Sequence, residues 1–246
     1  MTQIFGLVLF LIAALLLIVL TLIKRKTPPA FRDIASLTRL QKAAGMAVEE
    51  GTRLHVSLGH GSLTGPHGAS GLAGLALLRQ VSEQASISDR PPLASAGDAA
   101  LAILSQDTLE SAYKAAGAEE LYQASNGRLT GLTPFSYAAG AMPLVSAEQI
   151  SINVLIGDFG PEAALIAEAA DRENALVIGA ASDPAAQAVL FAAASDPLQG
   201  EELFAAPAYV GRDPAQRASL QVQDLLRWFL LLSVLAAAAL KLAGLL

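Results

Sequence analysis

Two long apolar runs lie at the two ends of the chain, and between them short apolar stretches alternate with alanine-rich segments of helical period. The first run, residues 4–23, reads IFGLVLFLIAALLLIVLTLI without a charge. At about 20 residues it matches a hydrocarbon core of about 30 Å. The second, residues 225–246, reads LLRWFLLLSVLAAAALKLAGLL, with Arg227 and Trp228 where an interfacial anchor belongs. Asp213 followed by Pro214 is a helix start, an acidic cap with proline at the first helical position. One helix is therefore expected to run from the central region into the second span.

The central pattern predicts strands at 54–58, 93–96, 128–132, 151–156 and 176–180. The helices alternating with them are expected at 69–84, 99–116, 135–141, 162–173 and 185–194, after a first helix at 33–50 closed by Gly51. Residues 200–210 read as an additional edge strand, against which Pro207 stands. Alternating strand and helix predicts an α/β fold, a Rossmann-like doubly wound parallel sheet of about five strands. Stretches such as NVLIG and ALVIG are apolar on both sides, as strands covered on both faces should be. The chain thus divides into an N-terminal transmembrane helix with its basic flank (1–26), a linker and amphipathic helix (27–52), the α/β domain (53–212), and a C-terminal helix continuing into the second transmembrane span (213–246).

Composition sharpens the membrane reading. Hydrophobic residues make up 53% of the 246, mean hydropathy is +0.48, and charged residues are only 15%. Soluble domains average roughly 45–50% and about 25%. A signal peptide would want a basic start and a shorter apolar run. Here the basic cluster Lys24, Arg25, Lys26 follows the run, the arrangement of an uncleaved anchor. Arg32, Arg217 and Arg227 also flank the inner side of the spans, so the positive-inside rule places the domain in the cytoplasm and both termini across the membrane. Lys241 is expected to snorkel to the far interface. The formal net charge of -6 leaves no basic footprint for nucleic acid, and the lack of cysteine excludes disulfides and thiolate chemistry.

The candidate chemistry gathers in Gly59-His60-Gly61-Ser62-Leu63-Thr64-Gly65, which follows a strand and opens a helix. In that position backbone N–H groups cradle phosphates. The letters match neither G-x-G-x-x-G nor a P-loop, and Gly68, Gly71 and Gly74 equally suit close helix–sheet packing. Three strands end in a small residue and an aspartate, Asp98, Asp158 and Asp183. Either these carboxylates line a ligand crevice or they cap the helices that follow. Pro184 favours the cap for Asp183, and Asp158 is the least explained. His60 and His67 share the loop without a metal-ligand spacing, His55 lies in a strand, and Ser62 lacks the elbow of a nucleophilic serine. Gly59, His60, Gly61, Ser62, Gly65 and Asp158 are accordingly the candidate ligand-binding residues. No catalytic residue, metal or cofactor is predicted. Ala236–Ala239, Ala243 and Gly244 give the last span a small-residue face suited to close helix contact.

Several segments carry a resemblance: RLHVSLG with its glycine loop (53–65), SDRPPLASAGD (88–98), FSYAAGAMPLV (135–145), NVLIGDFGPEAALIAEAA (153–170), GEELFAAPAY (200–209) and QDLLRW (223–228). In these the chain resembles a family of bacterial two-span membrane proteins classed as a domain of unknown function. The resemblance implies the architecture and brings no catalytic residues with it. The expected partners are the lipid bilayer and further copies of the chain. The expected role is a membrane-anchored, non-enzymatic module forming a homo-oligomeric scaffold. The alternative is a membrane-tethered sensor binding a nucleotide or other phosphorylated ligand at the glycine loop.

Overall fold

The computed structural model describes residues 2–24, 31–86, 88, 90–211 and 213–242. Arg25, Lys26, Thr27, Pro28, Pro29, Asp89, Ala243 and Gly244, on which parts of the sequence reading fall, lie outside the described residues. The chain divides into two compact units, Asp33–Gly211 and the paired ends Met1–Arg32 with Arg212–Leu246.

In the central unit, α2 (Ala35–Glu50) buries Leu37, Leu40, Ala43, Ala44 and Ala47, one stripe at helical spacing. It stops where Gly51 turns left-handed (φ 65°), letting Thr52 N–H reach back to the Ala47 carbonyl. Strands β1 (Arg53–Gly59), β2 (Leu93–Ala96), β3 (Gly127–Leu129), β4 (Ile150–Asp158), β5 (Leu176–Ala181) and β6 (Asp196–Pro197) are all parallel, in the order β3-β2-β1-β4-β5-β6. This is the strand order of doubly wound sheets, whose direction of winding reverses between β1 and β4.

Both faces are covered, and strand alternation decides which residue faces which side. Leu54, Val56, Leu58, Ile152, Val154 and Ile156 join a core with α2, α3 (Gly68–Ala85), α4 (Ala99–Ala115) and α8 (Glu202–Val210). Leu93, Leu155 and Val177 join the opposite core with α5 (Pro134–Ala147), α6 (Ala163–Arg172) and α7 (Pro184–Ala193). Gly71 and Gly74 serve the first of these: a Cβ on Gly74 would stand 2.7 Å from the Ile156 carbonyl oxygen, so the glycine lets α3 sit directly on the sheet.

Three expectations need correction. Among the described residues the sheet has six strands, not about five, because the two-residue β6 is too short to leave a periodic signal. Residues 200–210 form no edge strand: Glu202–Val210 is a helix, α8, and buries Leu203, Ala206 and Val210 at helical spacing. That stripe outweighs Pro207, whose missing N–H forfeits one bond of the ladder. The fifth helix also runs past its expected end at 141 to Ala147, through Pro143.

The second unit holds α1 (Thr2–Lys24) and α9 (Pro214–Leu242), which lie against each other. As expected, Asp213 caps α9, accepting the Ala215 N–H at 2.9 Å. Among the described residues α9 is the one helix long and apolar enough to cross a membrane, while the N-terminal end gives the shorter apolar stretch Phe10–Leu22. Trp228, Phe229 and Leu230 are exposed along α9.

Candidate functional site

In a doubly wound sheet ligands sit outside the carboxyl ends of the strands at the point of reversal, here between Gly59 of β1 and Asp158 of β4. Gly59 is left-handed (φ 79°), and a Cβ there would fall 2.1 Å from the Asp158 carbonyl oxygen. No other residue lets the two strand ends come so close. That carbonyl accepts the His60 N–H at 3.0 Å, and Gly97 N–H bonds Gly59 O at 2.8 Å, so the loop leaves the sheet tied to both neighbours.

The Asp158 side chain then turns into the glycine loop. Its Oδ1 accepts the Ser182 hydroxyl at 3.0 Å and lies 3.1 Å from His67 Nδ1, while a Cβ on Gly61 would lie 2.2 Å from its Oδ2. Beside it Glu162, only 2% exposed, accepts the Gly160 N–H at 2.7 Å. His60 Nε2 stands 2.9 Å from the same carboxylate oxygen but off the line a hydrogen bond needs, so the contact is a close approach rather than a formed bond. Two imidazoles of one loop thus face two carboxylates of the β4–α6 segment.

The remaining candidates separate. Asp98 caps α4 through Leu101 N–H (3.0 Å), and Asp183 caps α7 through Ala185 and Ala186 N–H (2.9 and 3.0 Å) behind Pro184. Both are therefore occupied in satisfying the first N–H groups of their helices. Asp158 caps nothing. Ser62 Oγ pairs with Thr64 Oγ1 at 3.2 Å, and the Ser62 carbonyl accepts Gly65 N–H, so these two residues build the turn. Among the described residues no three His, Asp or Glu side chains gather where a metal ion would be held. A cleft of about 360 Å³ lies away from this point, between α7 and β6, lined by uncharged side chains including Phe191 and Leu198.

Sequence reasoning missed a buried polar chain under α5. His55 is fully buried, its Nδ1 2.9 Å from Asn153 Oδ1 and its Nε2 2.9 Å from Ser95 Oγ. An amide oxygen only accepts, so Nδ1 carries the proton and Ser95 donates to Nε2. Ser95 Oγ meets the Tyr137 hydroxyl at 3.1 Å, which also contacts Ser57 Oγ and accepts the Gly59 N–H at 3.3 Å. The chain thus ends at the strand terminus that opens the loop. Burial lowers the His55 pKa to about 4, against the raising effect of Asn153, and burial likewise pushes Tyr137 upward. The signal was present as His55 and Ser57 two apart in an otherwise apolar strand, on one face by alternation.

Over residues 1–245 the chain matches the family model described as domain of unknown function DUF6754. It belongs to that family. No curated protein and no solved structure matches it. Membership in DUF6754 thus extends over the glycine loop, the sheet and both apolar ends.

Proposed function

We propose that this DUF6754 protein is a membrane-anchored, non-enzymatic module that assembles with copies of itself into a scaffold in the bilayer. The observation that carries the reading is at the point of reversal, where the chain fills its own crevice. The Asp158 carboxylate lies against Gly61, held there by Ser182 and His67. A doubly wound enzyme leaves that place open for substrate or cofactor. An anionic side chain placed there also repels the phosphate such loops normally receive. Two spans, a cytoplasmic central domain and termini on the opposite side belong to the same proposal. Their support is the apolar run at 4–23 with its following basic residues, alongside α9. The mass of the protein extracted in native lipid nanodiscs tests assembly: a multiple of the chain mass of 25.3 kDa is expected, and a monomer refutes it.

The second reading, a nucleotide or other phosphorylated ligand at Gly59, His60, Gly61, Ser62 and Gly65, is favoured by the loop's place at the start of α3 and by two histidines beside it. On that reading Asp158→Asn removes the competing charge, and thermal stabilisation by ATP or inorganic phosphate should rise in the variant. No stabilisation in either protein rejects it.

A further inference from the structure

The fifth helix presents an outer face unlike that of most surface helices in this domain. Residues 129–147, the end of β3 and all of α5, contain no charged residue, whereas α2, α3, α4 and α6 each carry at least two. Leu129, Leu132 and Phe135 are 48%, 68% and 70% exposed, and Ala139 and Pro143 are exposed beyond them. Phe135, Ala139 and Pro143 recur every fourth residue and so form one ridge. Among the described residues β3 is the outermost strand, so the sheet edge beside this ridge has no partner strand there. Natural edges are usually guarded by charge, and the one on this edge, Arg128, is drawn to Glu148 at 2.6 Å.

The geometry points to a second copy of this chain as the partner that covers this face, across a two-fold axis passing near Ala139. The choice of partner follows from charge and shape. Each copy carries a formal charge of -6, and approach is least opposed where neither surface is charged. A two-fold contact also requires a face complementary to itself. Here the bulk of Phe135, the small Ala139 and the ring of Pro143 share one ridge, so each copy's phenyl ring meets the other's Pro143 when the helices run antiparallel. The 14-residue helix is about 21 Å long. Buried on both copies together with Leu129 and Leu132, such a strip falls short of the roughly 1,200 Å² of a self-standing complex. The contact is therefore weak in free solution and depends on confinement of both partners to one membrane, which raises their effective concentration. It rests on the assembly reading above and names the surface that assembly uses.

The absence of cysteine makes the test direct. Ala139→Cys and, on the similarly uncharged α7, Ala188→Cys are oxidised in full-length protein in native membranes, beside the nanodisc mass of the wild-type chain. Residue 139 is expected to form a disulfide-linked dimer about tenfold faster than residue 188, as a residue next to the axis must. Phe135→Glu should reduce the multimer to monomer while circular dichroism stays unchanged, since that side chain is mostly outside the core. A multimeric wild type with residue 139 silent, or with residue 188 cross-linking instead, overturns this face and leaves the scaffold reading standing. A monomeric wild type overturns both.

Discussion

Acidification should destabilise the central unit through one side chain, His55. The ring is fully buried between Asn153 and Ser95, and desolvation lowers its pKa from 6.5 to about 4. Above pH 6.5 the ring is neutral in both folded and unfolded chains, and the stabilising arrangement is complete. Between pH 6.5 and about 4 the unfolded chain binds a proton that the folded one refuses, so stability falls with pH across that window and levels off below it. Each tenfold in proton affinity is worth about 1.4 kcal/mol, so the whole displacement amounts to roughly 3 kcal/mol. That is a large part of the 5–15 kcal/mol or so of a typical domain. The perturbation also has a local meaning. A charged imidazole must donate from Nε2, which reverses the Ser95 hydroxyl and, through it, the contact with Tyr137. The assay is denaturant unfolding of the full chain in detergent, followed by circular dichroism at pH 7.5 and 4.5, for wild type and His55→Gln. The variant should be weaker than wild type at pH 7.5 by about 1–3 kcal/mol, from buried groups left unpaired. Most of that disadvantage should vanish at pH 4.5. A wild-type-minus-variant difference that stays flat over this range, or a ¹⁵N-histidine spectrum showing His55 titrating near its unfolded value, refutes the reasoning.

Other outcomes follow from single contacts. Asp183→Ala removes the acceptor for Ala185 and Ala186 N–H and should cost about 1 kcal/mol in the urea midpoint; an unchanged midpoint shows that solvent satisfies those groups equally well. Gly61→Ala puts a methyl 2.2 Å from Asp158 Oδ2, so it should destabilise by about 1–3 kcal/mol. The same substitution should remove the His67 chemical-shift signature of its carboxylate partner, and full stability would mean the loop does not close on Asp158. Ending the chain at Gly211 removes α9 and leaves α1 as the remaining apolar end. Retention of the truncated protein after alkaline carbonate washing is expected if the N-terminal run crosses the bilayer, and release would eliminate that span.

The sheet was readable because stretches such as NVLIG and ALVIG are apolar on both sides and end in glycine. Its ordering was readable because parallel strands joined by helices have few ways to wind. What sequence missed were the places where tertiary contact decides. β6 is two residues long and exists only through its pairing with Ile178 and Gly179. Glu202–Val210 combines aromatic and β-compatible residues with a proline, and its helical state follows from the burial of Leu203, Ala206 and Val210. At the candidate site, sequence placed Gly59, Gly61 and Asp158 near one another through fold class alone. For Asp98 and Asp183 it left open whether they cap helices or line a crevice, with Pro184 favouring the cap for Asp183, and the structure shows both as caps. The fit of Asp158 against Gly61 could not be read, because it depends on the absence of a single Cβ across a long stretch of chain.

The polar chain and the closed crevice meet at one residue, and this bears on what the site is for. Gly59 N–H ends the path from Asn153 through His55, Ser95 and Tyr137, while the Gly59 backbone is pressed against Asp158. A catalytic loop has to move to admit substrate and release product. This one is fixed from beneath by a buried hydrogen-bonded network and from above by its own carboxylate, so opening it means breaking both. A mobile active-site loop is drawn instead from the weakly held parts of a fold. On the scaffold reading proposed above, this bracing gives the loop a structural role rather than one in turnover. In that role the ends of β1 and β4 are locked together, and the uncharged outer ridge of α5 is the contact surface proposed above.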